Sequence, residues 1–239
     1  PITRGDCFAA APESWAMKSW QIDDLRKLSD GTSVTVAVLD TGGDESHPDL
    51  RGRIVKAKDF TGSRYGYADR NGHGTHCLGT VGAANPLIGV SQGCQLINAK
   101  VLSDSGSGAD DGIADGIDWA VESGADVLSM SLGGSYSQRI EAAIQRAVAR
   151  KKVVIAAAGN SGPGGVDYPG KLKECLSIGA INREFIIAPF SSRGDKIDCT
   201  GPGVDIVSCK PGGGHQGMSG TSMATPFIAG MFALLVGAM

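Results

Sequence analysis

The stretch VTVAVLD, residues 34–40, decides the fold. Its first six residues are apolar or β-branched without a break, and it closes on Asp40. A strand with one wet face would alternate apolar and polar residues; an unbroken run this short reads as a strand buried on both sides. Such strands belong to parallel sheets, whose crossover connections lay helices over both faces. Outward from it the pattern repeats. GTHCLGTVGAA (74–84) reads as a helix, LINAKVL (96–102) as a strand, and the DDGIADGIDWAVESG segment ending at Gly124 as a helix. VLSMSL, the amphipathic QRIEAAIQRAVARKK, VVIAAAGN and CLSIGAI continue the alternation, and a final helix begins near Ser222. SGPGGVDYPG (161–170) is a loop by its Gly and Pro content. This order predicts an α/β fold, a mostly parallel central sheet with helices on both faces in a three-layer sandwich. In open sheets of this kind, sites lie beyond the carboxyl ends of the strands. Asp40 and Asn160 each close one such strand.

Composition narrows the function classes. The 239 residues suffice for one sizeable core, and nothing marks a linker, so a single domain over 1–239 is expected. Apolar residues make up 41% and charged residues 20%, as in a folded chain. A net charge of −3 without a Lys/Arg block argues against nucleic acid or an anionic membrane as the main partner. No apolar run reaches the roughly 18 residues of a membrane span. The opening PITRGD is no signal peptide, so either none exists or it has been removed. The 36 glycines indicate many tight turns. Cys7, Cys77, Cys94, Cys175, Cys199 and Cys209 show no CxxC spacing, and reduced buried thiols are expected for several of them.

The chemistry gathers in three segments. GMSGTSMATPFIAGMFALL (217–235) crowds Ser219, Thr221, Ser222 and Thr225 where an apolar helix starts. These hydroxyls cap the helix, or one of them is a nucleophile. AVLDTGG surrounds Asp40 and NGHGTHC surrounds His73. His73 and His76 have the spacing of a metal pair, but no third ligand cluster accompanies them. Brought together, the three segments supply a hydroxyl, an imidazole to take its proton, and a carboxylate to orient that imidazole. The chain order Asp, His, Ser differs from that of chymotrypsin and of the α/β-hydrolases. The GxSxG elbow of the latter is absent, since the residues around Ser222 end in Ala224. No GxGxxG or GxxxxGK[ST] follows a strand, which sets nucleotide binding aside.

With these segments, SLGG (131–134) and AAAGN (156–160) in order, residues 30–236 resemble the subtilisin family of serine proteases, the subtilases, and most of all their proteinase K branch. The resemblance implies an endopeptidase in which Ser222 is the nucleophile, His73 the general base and Asp40 its partner. Asn160 matches the family's oxyanion-hole amide. Ser131, Leu132 and Gly133 would pair with an extended peptide, and Ala157, Ala158 and Gly159 would wall the pocket before the scissile bond. Asp167 aligns with the floor of that pocket, where a carboxylate favours Arg or Lys. Asp110 and Asp111 align near a subsite further upstream. The alternative for these three is that they are solvated loop charges. The same triad also serves peptide ligases and cyclases, and a peptide-binding pseudoprotease is a further reading.

The resemblance carries further expectations. The loop GAANPLIGVS is shorter than the calcium loop of bacterial subtilisins, which puts that site in doubt although Asp49 is present. A second calcium is implied at carbonyls near Leu172 and Glu174 with the Asp198 carboxylate, oxygen ligands of the kind calcium takes. No cofactor is required for the chemistry. Cys77 matches a free thiol beside the catalytic histidine, and Cys175 a half-cystine. Peptide or protein substrates and an inhibitory prosegment are the implied partners. Set beside the family's pattern, residues 1–239 are expected to be a catalytic domain without that prosegment and without the usual C-terminal elements. Family habit favours secretion, while the cysteines keep an intracellular origin open.

Overall fold

The computed structural model describes residues 14–84 and 89–239. Cys7 and residues 85–88 of the short loop lie outside them. Seven strands form one parallel sheet: β1 (Thr35–Asp40), β2 (Ile54–Asp59), β3 (Gln95–Lys100), β4 (Val127–Met130), β5 (Val153–Ala157), β6 (Leu176–Ile181) and β7 (Cys199–Pro202). Their order is β2-β3-β1-β4-β5-β6-β7. A small antiparallel pair, β8 (Ile206–Cys209) and β9 (His215–Met218), follows. The helices are α1 (Trp15–Ser19), α2 (Ile22–Arg26), α3 (His73–Gly82), α4 (Asp110–Glu122), α5 (Gln138–Ala149) and α6 (Thr221–Gly237).

The period of two along β1 splits the core into two layers. Val36 and Val38 face a cluster with Leu78 of α3 and Phe227 of α6. Ala37 and Leu39 face another with Ile117 of α4 and Ile144 of α5. The three-layer sandwich expected from the sequence is therefore present. β1 lies between β3 and β4, so the chain leaves it toward one edge of the sheet and later fills the other. That reversal opens a crevice at the carboxyl end of β1, where Asp40 stands. Among the described residues no helix is long and apolar enough to cross a membrane.

Candidate active site

Asp40 closes β1 and is 1% exposed. Its Oδ1 accepts the Thr41 backbone N–H and His73 Nδ1, each at 2.7 Å. A carboxylate only accepts, so Nδ1 carries the proton and Nε2 is left as the basic nitrogen. The Asp40 charge holds the His73 pKa well above its ordinary value, against burial, which lowers it. His73 is the first residue of α3, and Asp69 fixes that helix start. Asp69 accepts the Gly72 and Thr75 backbone N–H groups at 2.8 Å each, the Thr75 hydroxyl at 2.7 Å and the Thr41 hydroxyl at 3.0 Å. Thr41 Oγ1 in turn accepts the Gly74 N–H at 2.9 Å. Helix and strand meet so closely that a Cβ on Gly74 would lie 2.2 Å from the Gly42 carbonyl oxygen. His76 goes elsewhere: its Nε2 donates to the Ile206 carbonyl at 2.9 Å, and burial lowers its pKa to about 4.

Ser222 is the second residue of α6, whose first-turn N–H groups have no partner within the helix. Pro226 has no N–H to give the Ser222 carbonyl four residues back. That carbonyl accepts the Ser131 hydroxyl at 2.8 Å and the Cys77 thiol at 3.6 Å. The Ser222 hydroxyl itself points to the Ser131 carbonyl at 3.4 Å, and among the described residues no hydrogen bond joins it to His73. Free enzymes commonly tighten this contact only when substrate is present. Cys77 is fully buried, 3.9 Å from His73 Nδ1, and burial followed by the Asp40 charge raises its pKa.

Asn160 stands across from Ser222 in the loop after β5. Its Oδ1 accepts both the backbone N–H of Thr221 at 2.9 Å and the Thr221 hydroxyl at 3.1 Å. With the oxygen so committed, the amide nitrogen is the group left to donate outward. A cleft of about 610 Å³ runs from His73 along Ser131, Leu132 and Gly133 and is lined by Asp110, Tyr136 and Tyr168 among others. Asp167 is inserted between the segments after β4 and β5. Its Oδ2 lies 3.0 Å from where a Cβ on Gly133 would stand and 2.3 Å from one on Gly159. Gly159 also adopts φ +102°, which a side chain would disfavour. Asp167 is anchored by its N–H to the Ala158 carbonyl at 2.9 Å, and Gly134 pairs with Tyr168.

In comparison with known proteins, residues 31–239 match the subtilase family. This chain belongs to the subtilase family. It is 44% identical to an intracellular serine protease of Paenibacillus polymyxa over 98% of this chain and 72% of that protein. It is 43% identical to subtilisin J of Geobacillus stearothermophilus and 42% to alkaline elastase YaB of a Bacillus strain, each over 86% of this chain. The chain spans 56% and 54% of the length of those two proteins.

The remaining expected site residues fare differently in this subtilase. Asp110 lines the cleft, whereas Asp111 turns away to an ion pair with Arg139 of α5. Around the implied calcium ligands Leu172, Glu174 and Asp198, Glu174 Oε2 is buried without a hydrogen-bond partner among the described residues, while other oxygens are engaged. The Leu172 carbonyl accepts the Cys175 N–H at 3.2 Å, Glu174 Oε1 meets Gln145 at 3.4 Å, and Asp198 pairs with Lys196. Calcium takes six to eight oxygens, more than these three residues supply by themselves. Asp49 sits by His215 Nε2 at 2.7 Å. His47, Asp49 and Cys209 offer ligand atoms within 4.8 Å of one another. Both ring nitrogens of His47 are nevertheless engaged, with the Gly214 carbonyl at 2.8 Å and the Asp49 N–H at 3.1 Å. Cys77, Cys94, Cys175 and Cys209 are buried free thiols, and Cys199 is an exposed one. Sequence reasoning passed over Asp69 and Thr41, and took Thr221 only as one of the hydroxyls at a helix start. Only Asp69, an acidic residue just ahead of a helix, left a local signal, that of a capping group.

Proposed function

We propose that this subtilase is a serine endopeptidase that cleaves peptide bonds through an acyl-enzyme on Ser222. The 2.7 Å bond between His73 Nδ1 and Asp40 carries the reading, because it leaves Nε2 free to take a proton. As Ser222 Oγ attacks the peptide carbonyl carbon, its proton passes to Nε2, and Asp40 stabilises the imidazolium that forms. The carbonyl oxygen becomes an oxyanion, met by the Asn160 amide and the unpartnered N–H of Ser222. His73 then returns the proton to the leaving amine, and water releases the acyl group by the same steps in reverse order. An extended peptide pairs with Ser131, Leu132 and Gly133, and its side chain before the scissile bond enters between that segment and Ala157, Ala158 and Gly159.

Asp167 sets the preference for Arg or Lys at that position. A carboxylate set against Gly133 and Gly159 would pair with a cationic side chain entering between those segments. The partners are peptide or protein chains, with an inhibitory prosegment as a further one.

Labelling with a fluorophosphonate, read by intact mass, tests the chemistry. One adduct on the protein and none on Ser222→Ala is expected; an unlabelled, folded wild-type chain refutes it. Peptides differing only as Arg or Phe before the scissile bond test the pocket. Arg is expected to be preferred, with Asp167→Gly lowering the Arg/Phe ratio by about tenfold or more, as loss of a charge-assisted contact does. A Phe preference unaltered by that substitution removes the assignment.

A further inference from the structure

Lys100 closes β3, is fully buried, and takes no part in the acyl transfer. It stands in a row of charged residues across the carboxyl end of the sheet, its register partners being Asp40 on β1 and Asp59 on β2. A buried ammonium is costly unless it is paired. Lys100 Nζ donates to the Thr41 carbonyl and forms an ion pair with Asp104 Oδ1 at 3.0 Å. Thr41 is thereby held at every polar group. Its N–H is on Asp40 Oδ1, its hydroxyl lies between Asp69 and the Gly74 N–H, and its carbonyl is on Lys100. The residues after Lys100 grip the same place: the Val101 and Leu102 N–H groups both donate to the Asp40 carbonyl, at 2.9 and 3.0 Å. Asp40 Oδ2, meanwhile, is buried with no hydrogen-bond partner among the described residues. Hydrogen bonds to Oδ1 alone leave much of the carboxylate's charge to be balanced, and the ammonium on the next residue's carbonyl supplies a buried cation. The other titratable groups around the pair are Asp69 and Asp59, both engaged by N–H and hydroxyl groups, Arg70 beyond Asp104, and Cys77 and His76 on α3.

A carboxylate that orients an imidazole also holds its proton, and a ring locked in the protonated form takes nothing from a serine. We propose that Lys100 is a positioning residue for the Asp40–His73 pair: it clamps the Thr41 backbone that braces the carboxylate, and its buried positive charge offsets part of the carboxylate's. The like charge of the ammonium disfavours the imidazolium, so His73 releases its second proton at a lower pH than Asp40 alone would allow. The consequence for rate rests on the acyl-enzyme reading of Ser222; the titration of His73 does not.

The His73 ring resonances, followed by NMR against pH in a Ser222→Ala background so that self-digestion does not enter, test this. Lys100→Met, unbranched like lysine but uncharged, is expected to raise the His73 midpoint by about half a pH unit or more. Asp104→Asn, which strips the ammonium of its counter-charge, is expected to lower it, and by less, because Asp104 is 35% exposed and screened. Opposite signs at two neighbouring positions mark a charge effect rather than disturbed packing. A midpoint that is unchanged or lowered in Lys100→Met overturns the proposal. If Lys100→Met does not fold, Asp104→Asn decides alone, and a midpoint that stays or rises there overturns it. With Ser222 restored, Lys100→Met is expected to lower kcat about threefold or more at a pH below the midpoint, with KM little changed. A parent that cleaves no peptide while the two midpoints part as expected refutes the acyl-enzyme reading and leaves the role of Lys100 in place.

Discussion

His73 and His76 stand one turn apart on α3, and their surroundings drive them in opposite directions. His73 faces a buried carboxylate, whose charge raises its pKa. His76 is fully buried beneath the helix, donates to a carbonyl, and is held neutral by burial, its pKa lowered to about 4. Residue type and helix are shared; the difference is the presence of one negative charge at 2.7 Å. A histidine spacing alone therefore says little, and the partner of each ring nitrogen says nearly everything.

The largest break in this comparison is His73→Ala, expected to lower kcat by about 10⁶-fold, as loss of the base in such a triad does; His76→Asn should leave kcat within an order of magnitude. Initial rates on a chromogenic peptide measure both. The raised His73 pKa also places the rise in activity on the alkaline side, because only the neutral ring accepts the serine proton. Its stabilising bond with Asp40 has the opposite dependence: fully present below the unfolded value near 6.5 and lost as pH climbs through the folded one. A subtler effect belongs to His76. Between about pH 4 and 6.5 the unfolded chain binds a proton there that the folded chain refuses. Stability should therefore fall across that window by about 3 kcal/mol as pH drops. In His76→Asn, denaturant titrations at several pH values should show this slope flattened. An unchanged slope assigns the acid sensitivity to other groups.

Much of the fold was legible because buried parallel strands write themselves as unbroken apolar runs. VTVAVLD, LINAKVL and VVIAAAGN all became strands of the central sheet. β2 escaped notice because it is an edge strand whose IVKAKD sequence carries two exposed lysines. β7 to β9 are only four residues each and rich in Gly and small residues, too short to show a period. At the candidate site, the pairing of Asp40 with His73 and the place of Ser222 at a helix start were legible from residue types and chain order. Asp69 was not, for it acts only on the backbone and side chains of neighbouring segments. Asp111 erred the other way: adjacent to Asp110, it faces Arg139 because neighbouring helical residues point about 100° apart.

Pro226 gives the nucleophile a mechanical connection. By withholding one rung of α6 it releases the Ser222 carbonyl to the Ser131 hydroxyl, which adds a bond to the one the Ser222 hydroxyl gives the Ser131 carbonyl, so the segment proposed to receive the peptide and the proposed nucleophile are linked directly. Pulling on one end of the cleft is felt at the other. On the proposed function, a peptide lying along residues 131–133 would steady Ser222, and a loosely bound one would leave it unbraced. Fidelity of grip and readiness of attack are thereby one property of the molecule, written into the sequence by an imino acid placed four residues after the serine.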